Sequence, residues 1–284
     1  MPNASAFEGA HYVTAMPSLA LLEEHLAGFA RVLLGYSGGV DFGLLAVAGR
    51  RALGPERFLA VVGKSPSYPA AQWRTAVDLA HRFAVPLLEL DTRELDDPRY
   101  VANTPDRCYF CKTELWTRLV AVAAERGFDV VIDGTNADDL GEHRPGLRAA
   151  DERGVRSPLA ELGWTKADVR AAARDLGLPV WNAPAAPCLS SRIRYGLAAT
   201  PERLRQVERG EAYLRELGIT GDLRVRHHGA TARLEVTPEQ HARLRERWGG
   251  LAAFFTELGF ASVELDPRGY RRGGLLAVLA ESGR

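Results

Sequence analysis

Apolar positions recur along this chain with two periods. Leu19 to Phe29 has helical spacing, Arg31-Val32-Leu33-Leu34-Gly35-Tyr36 is a short buried-strand run, and Leu44 to Arg51 returns to helix. Further short apolar runs lie at 58–62, 86–90 and 129–133, separated by helical patterns at 71–83 and 112–126. Strands alternating with helices at this interval predict an α/β architecture, a parallel sheet covered by helices on both faces. Ligands of such sheets sit at the carboxyl ends of the strands. Near Leu197 the rhythm changes: a charged helix is predicted over Pro201 to Leu217, alternating strands over Leu223 to His228 and Ala232 to Val236, then helices and a final strand over Leu275 to Leu279. The pattern therefore divides at Tyr195-Gly196 into domains 1–195 and 196–284, the second a smaller α+β unit. No internal repeat or low-complexity segment interrupts either part.

Composition narrows the partners. At 284 residues, with 46% hydrophobic and 25% charged positions, the chain is long enough for two cores. Lys plus Arg and Asp plus Glu are both 36, so no global field recruits nucleic acid or an anionic membrane. Any anion binding has to be local. No apolar run spans a bilayer and Met1-Pro2-Asn3-Ala4 opens no charged-then-apolar leader, so the expectation is a cytoplasmic protein without membrane or nucleic-acid partners. Three cysteines, an odd and low number, argue against a disulfide framework and leave the thiols available to metal.

Chemistry concentrates in a few loops. Ser37-Gly38-Gly39-Val40-Asp41 lies between the first strand and its helix, where backbone amides and the helix dipole favour an anion; the alternative is a structural glycine turn. Its length does not fit the Walker pattern. Gly134-Thr135-Asn136 at a strand end can meet a nucleotide's polar edges, Ser65 can touch its phosphate, and Asp41 with Asp139 can offer hard oxygens to magnesium. Asn136-Ala137-Asp138 also reads as a helix cap. Lys64 reads as a solvated charge, and Trp73, Trp116 and Trp164 as core residues on helical faces. Cys108 and Cys111 form a Cys-x-x-Cys pair, read as a turn, and Cys188 lies in Pro187-Cys188-Leu189-Ser190-Ser191-Arg192. Three thiolates suit an iron-sulfur cluster with one open corner. A zinc site or a redox dithiol is the alternative; the first lacks a fourth ligand and the second leaves Cys188 unexplained. Arg224 and Arg226 share a strand face, and Arg271 sits in a Gly-rich turn that can approach them, giving either a phosphate site or a solvated face. His227 and His228 read as hydrogen-bonding residues rather than metal ligands.

The glycine loop resembles that of the PP-loop ATP pyrophosphatases, Ser-Gly-Gly-x-Asp-Ser, with Phe42 in place of the last serine. That departure removes a hydroxyl whose bond to pyrophosphate would contribute about 1.5–3 kcal/mol. Over nearly the whole chain the sequence resembles the LarE family of sulfur transferases. The resemblance is carried by Ser65-Pro66-Ser67 with Pro69, Asn103, Arg107-Cys108-Tyr109 with Cys111-Lys112, and residues 133–139. Arg144-Pro145-Gly146, residues 154–159, Cys188-Leu189 with Ser191-Arg192-Ile193, residues 224–229, and Gly269-Tyr270-Arg271 complete it. It implies a PP-loop parallel sheet and an enzyme that uses ATP and magnesium to adenylate, then thiolate, the carboxylates of pyridinium-3,5-biscarboxylate mononucleotide. That reaction serves the nickel-pincer nucleotide cofactor of lactate racemase. By this resemblance Ser37, Gly38, Gly39 and Asp41 hold pyrophosphate, and Arg224, Arg226 and Arg271, with Ser191 and Arg192, hold the substrate phosphate. Ser190, Ser191 and Arg192 border the sulfur-delivery position. The Cys-x-x-Cys pair implies a [4Fe-4S] cluster on Cys108, Cys111 and Cys188, fed by sulfide or another sulfur donor. Relatives with only the equivalent of Cys188 instead give up that sulfur. A homo-oligomer is also implied. Thiolation of tRNA is a competing reading that zero net charge opposes, and a non-catalytic scaffold is another, resting on Phe42.

Overall fold

The computed structural model describes residues 17–140 and 145–271. Arg144, the strand expected over 275–279 and the first four residues lie outside these. Four parallel strands, β1 (Val32–Tyr36), β2 (Phe58–Lys64), β3 (Leu87–Asp91) and β4 (Val130–Ile132), form a sheet of order β3-β2-β1-β4. β1 is buried along its whole length because successive side chains enter two different cores. Val32, Leu34 and Tyr36 face α1 (Leu19–Ala27), α2 (Val40–Leu53) and α3 (Ala70–Arg82). Leu33 faces the other way, toward α5 (Arg107–Arg126), which follows the short α4 (Pro98–Val101), and toward α6 (Pro145–Asp151). α7 (Pro158–Glu161) and α8 (Lys166–Asp175) return to the first face, where Val169 and Ala173 pack against the α2 core.

The second part begins with α9 (Pro201–Glu216), then a hairpin of β5 (Leu223–His228) and β6 (Thr231–Val236). α10 (His241–Glu246) and α11 (Trp248–Glu257) cross over to β7 (Ser262–Leu265), which pairs parallel to β6. β7 escaped the sequence pattern because it is a four-residue edge strand of alternating exposure. Tyr195-Gly196, the expected boundary, is tied back to the first part: Gly196 N–H donates to Asn103 O at 3.2 Å and Asn103 Nδ2 to Leu197 O at 2.8 Å. Tyr100, Leu189, Ile193, Leu204 and Val207 share one apolar cluster across this junction.

Two helices start earlier than their apolar periodicity. α2 begins at Val40 rather than Leu44, with Gly39 as its N-cap, and α5 begins at Arg107 rather than Lys112. In each case the first turn interrupts the apolar period with polar residues, Asp41 between Val40 and Phe42 in α2 and Arg107 with Cys108 in α5. The Cys-x-x-Cys pair therefore lies on a helix and not in a turn. Trp116 and Trp164 are core residues at 2% and 1% exposure, but Trp164 sits in the connection before α8, and Trp73 is half-buried at the core edge. Lys64 is exposed as expected, lying 4.9 Å above the Trp73 ring. No helix among the described residues is long and apolar enough to cross a membrane.

Candidate functional site: a glycine loop, a thiol cluster and an arginine pocket

The strand order reverses direction between β1 and β4, so the loops leaving these two strands open a crevice at the sheet's carboxyl edge. The β1 loop holds Ser37, Gly38 and Gly39. Gly38 has φ +67°, and a β-carbon there would stand 2.6 Å from Ala76 Cβ. Tyr68 Oη and Gln72 Nε2 donate to Ser37 O at 2.8 and 3.3 Å, which fixes the loop. The Gly39 cap offers no side-chain acceptor, so the first amides of α2 are left for an external anion. Asp41, buried in that first turn, accepts from Asn136 Nδ2 at 3.1 Å and forms a close ion pair with Lys166 Nζ. Asn136 and Asp139 complete a capping box, so the cap reading of that segment is realised together with the contact to Asp41. Thr135 closes on buried Asp133, whose carboxyl is raised by burial in spite of bonds from Thr135 and Ser157. The Phe42 ring stands against Gly134: a β-carbon on Gly134 would lie 3.0 Å from Phe42 Cγ.

Beside this crevice lie the thiols. Cys108 and Cys111 lie at the start of α5 at a spacing that puts them on one face, and Cys188 caps the 3₁₀ turn Leu189–Arg192. Burial pushes the Cys108 thiol up, with Cys188 adding to it and Arg107 pulling back. Cys111 is raised far more, by burial first, then by Glu94 and Cys188. The three thiols thus share one electrostatic neighbourhood. Among the described residues no three His, Cys, Asp or Glu side chains converge tightly enough for a single metal ion.

The Cys188 turn is held from every side. Leu189 N–H donates to Ser67 O at 2.8 Å, Tyr100 Oη meets Ser190 Oγ at 2.5 Å, and Arg107 Nη1 donates to Ser190 O at 2.8 Å. Ser191 Oγ and Arg192 Nη1 donate to Cys188 O at 2.7 and 3.0 Å. Ser65, expected at a phosphate, donates instead to buried Glu94 at 2.5 Å, and Ser67 Oγ donates to the same oxygen at 2.6 Å.

The arginines form the third group. Arg224 and Arg226 are each 7% exposed, which removes the solvated-face alternative. Arg226 pairs with Glu235 at 2.8 Å and donates to Ser191 O at 2.9 Å; Arg192 pairs with Glu211 at 2.9 Å. Arg224 has no carboxylate partner among the described residues. It donates to Leu223 O and Ala185 O at 2.6 and 3.3 Å, and its guanidinium lies 5.0 Å from the Tyr270 ring. Burial first, then neighbouring Arg192, lowers its pKa. A buried cation flanked by other cations is a strong anion site. Arg271, next to Tyr270, is exposed. His227 accepts from Gly229 N–H through Nδ1 at 3.2 Å, so its Nε2–H donates to Gln206 Oε1 at 2.9 Å, a hydrogen-bonding role as the sequence suggested.

Sequence reasoning missed Lys166, Glu94, Glu211 and Glu235. Each is a single charged residue on a polar helix, turn or strand face, and only its partner marks it.

Comparison with known proteins agrees with this arrangement. A family model described as NAD synthase matches residues 20–108, which carry β1 to β3 and the glycine loop. An uncharacterized protein of Synechocystis sp. is 42% identical over 262 residues, covering 92% of this chain and 97% of its own length. An uncharacterized protein of Methanocaldococcus jannaschii is 29% identical over 241 residues, covering 85% of this chain and 91% of its own. The pyridinium-3,5-bisthiocarboxylic acid mononucleotide synthase of Lactiplantibacillus plantarum is 35% identical over 270 residues, which cover 93% of this chain and 95% of that protein. Identity of that extent, on a parallel sheet with the glycine loop at its switch point, means that the chain belongs to the LarE family, that of the pyridinium-3,5-bisthiocarboxylic acid mononucleotide synthase.

Proposed function

We propose that this protein is an ATP-dependent sulfur transferase that adenylates and then thiolates the carboxylates of pyridinium-3,5-biscarboxylate mononucleotide, in the making of a nickel-pincer nucleotide. The observation that carries the reading is the position of the Cys188 turn. On one side it is bonded to Ser67, in the turn after β2 that borders the nucleotide crevice; on the other it is bonded to Arg226 of the arginine pocket. A substrate whose phosphate sits by Arg224 can present a carboxylate between ATP and Cys188.

In this reading Ser37, Gly38, Gly39 and the α2 N-terminus hold the pyrophosphate end of ATP. Asp41 offers an oxygen to magnesium, and Lys166, already on Asp41, supplies a mobile positive charge beside the phosphates. Gly134, Thr135 and Asn136 line the nucleotide side. Asp139 is engaged as a cap, so the metal role falls mainly to Asp41. Phe42 packed on Gly134 supports a loop built around the ring, not one collapsed by it. The substrate carboxylate attacks the α-phosphorus, pyrophosphate leaves, and the acyl carbon becomes electrophilic. A sulfur nucleophile at the Cys188 position then forms the C–S bond as AMP departs with the C–O electron pair. Arg224, Arg226 and Arg271 hold the substrate phosphate, while Ser191 and Arg192 shape the turn. Three thiols in one electrostatic neighbourhood, with Arg107 and Lys112 among their charges, are the donor type an iron-sulfur centre takes. A [4Fe-4S] cluster on Cys108, Cys111 and Cys188 would supply a renewable sulfur. Domain 1–195 serves ATP, and 196–284 serves the substrate and self-association.

The test is anaerobic pyrophosphate and AMP release with the purified biscarboxylate mononucleotide and, in parallel, with tRNA. Release with the mononucleotide alone is expected. Release with tRNA alone, or with neither, overturns the reading.

A further inference from the structure

The two edges of the second sheet differ. Along the outer edge of β5, Glu211 Oε1 accepts from Val225 N–H at 3.2 Å and Arg194 N–H donates to His227 O at 3.1 Å, so that edge is covered. β7 forms the other edge. Ser262 and Asp266 turn their N–H groups inward, to Ala230 O at 3.3 Å and Leu234 O at 2.9 Å. By the two-residue alternation of a strand, Glu264 faces β6 as well, while Val263 and Leu265 turn their N–H groups outward. Among the described residues no strand pairs with that side. A bare row of backbone donors and acceptors is a template for one more strand.

Beside this edge runs a groove of about 350 Å³ lined by Arg245, Trp248, Val263, Glu264, Leu265 and Pro267. Trp248, Val263 and Leu265 are only partly buried and form the margin of the second core. The flank of that core is therefore open where an added strand lays alternate side chains.

The chain itself returns to this place. Asp266 to Gly269 make a turn after β7, closed by Gly269 N–H on Asp266 O at 3.1 Å, and Tyr270 N–H then donates to Val236 O at 3.0 Å. The carbonyls of Ala230, Leu234 and Val236 lie on one side of β6, so Tyr270 resumes the row of β7. Arg271-Arg272-Gly273-Gly274 follows, a length and composition suited to a hairpin loop. Next comes Leu275-Leu276-Ala277-Val278-Leu279, the strand expected from sequence, which lies outside the described residues and carries neither charge nor polar side chain. A segment tethered through so short a loop meets the edge at an effective concentration that a separate copy of the chain does not reach.

We propose that residues 275–279 fold back along the outer edge of β7 as an antiparallel fourth strand of the second sheet and cover the groove at Trp248. The strand supplies partners for the outward N–H groups of β7 and buries its own apolar side chains against the open margin of the core.

Amide hydrogen exchange of the full chain, resolved to single residues, tests this. Val263 and Leu265 are expected to exchange nearly as slowly as Glu264, whose N–H faces β6. Ending the chain after Gly274 should speed both by about 100-fold while leaving Glu264 within about threefold of its rate. Ala277→Pro combined with Val278→Pro should act alike, because adjacent residues point to opposite sides and one of the two lost N–H groups faces β7. Fast exchange at Val263 and Leu265 in the full chain overturns the proposal. So does protection that survives truncation, or protection that falls on dilution, which places a second copy on the edge. Amide-to-amide nuclear Overhauser contacts between 263–265 and 275–279 are expected in the unaltered full chain, and their absence overturns the proposal even where a variant fails to fold.

Discussion

At Gly38 the backbone φ of +67° and the approach of Ala76 to 2.6 Å of a would-be β-carbon act together, so a side chain is excluded by conformation and by space. Gly38→Ala is expected to destabilise the fold by about 1–3 kcal/mol in urea titrations and to weaken ATP binding, since the loop must move away from α3. Gly134 is constrained for a different reason: a β-carbon there would crowd the ring of Phe42, which would have to give by a few tenths of an ångström. Gly134→Ala should be destabilising by about 1–3 kcal/mol in the wild-type chain but much less in Phe42→Ser, giving a coupling of about 1 kcal/mol in a double-mutant cycle; additive effects would show that the ring does not set the requirement. Gly38 stood out in the sequence as part of a phosphate loop, Phe42 as the departure from that loop's pattern, and Gly134 as part of a strand-end segment that can meet a nucleotide's polar edges. That Phe42 and Gly134 touch did not, because they lie on loops after different strands. Lys166 was equally silent, a lysine at the start of a polar helix until Asp41 is set beside it.

Helix starts and strand faces carry the next level. The start of α5, from Arg107 to Cys111, carries a buried arginine and two thiols that break the apolar spacing, so the apolar period understates the helix. β5 and β6 place Arg226 and Glu235 together as a buried pair. Arg226→Met should be destabilising by about 3–5 kcal/mol because Glu235 is left buried and unpaired, whereas Arg226→Met with Glu235→Leu should recover most of that loss. Equal destabilisation of the single and double variants, measured by chemical denaturation, would show that packing and not charge dominates. The period-two pattern gave the face that Arg224 and Arg226 share. Which arginine stays without a carboxylate depended on where Glu211 of α9 and Glu235 of β6 fall.

Across the molecule, His227 links the second sheet to α9 through Gln206 and receives the chain leaving the Cys188 turn, where Arg194 N–H donates to His227 O at 3.1 Å. Burial, then Arg203, lowers its pKa from 6.5 to about 4. Below pH 6.5 the unfolded chain takes up a proton that the folded chain refuses, so stability is complete above that pH and is lost as pH falls toward 4, by about 3 kcal/mol for this group. His227→Gln should flatten that part of the profile in urea titrations between pH 7 and 4.5; an unchanged slope would assign acid sensitivity to other groups. The sequence by itself determined what local periodicity and residue chemistry encode: alternating strands and helices, the glycine loop at a strand end, and three cysteines confined to two polar motifs. Each depends on neighbours within a few residues, which burial along one element makes legible. Tertiary structure alone decided which loops meet: the order β3-β2-β1-β4 sets the glycine loop beside Thr135 and Asn136, the turn after β2 holds the Cys188 turn, and ion pairing leaves Arg107 and Arg224 as the unpaired buried cations among the described arginines. Those outcomes are fixed by contacts between segments far apart in the chain, where the partner, not the residue, carries the information.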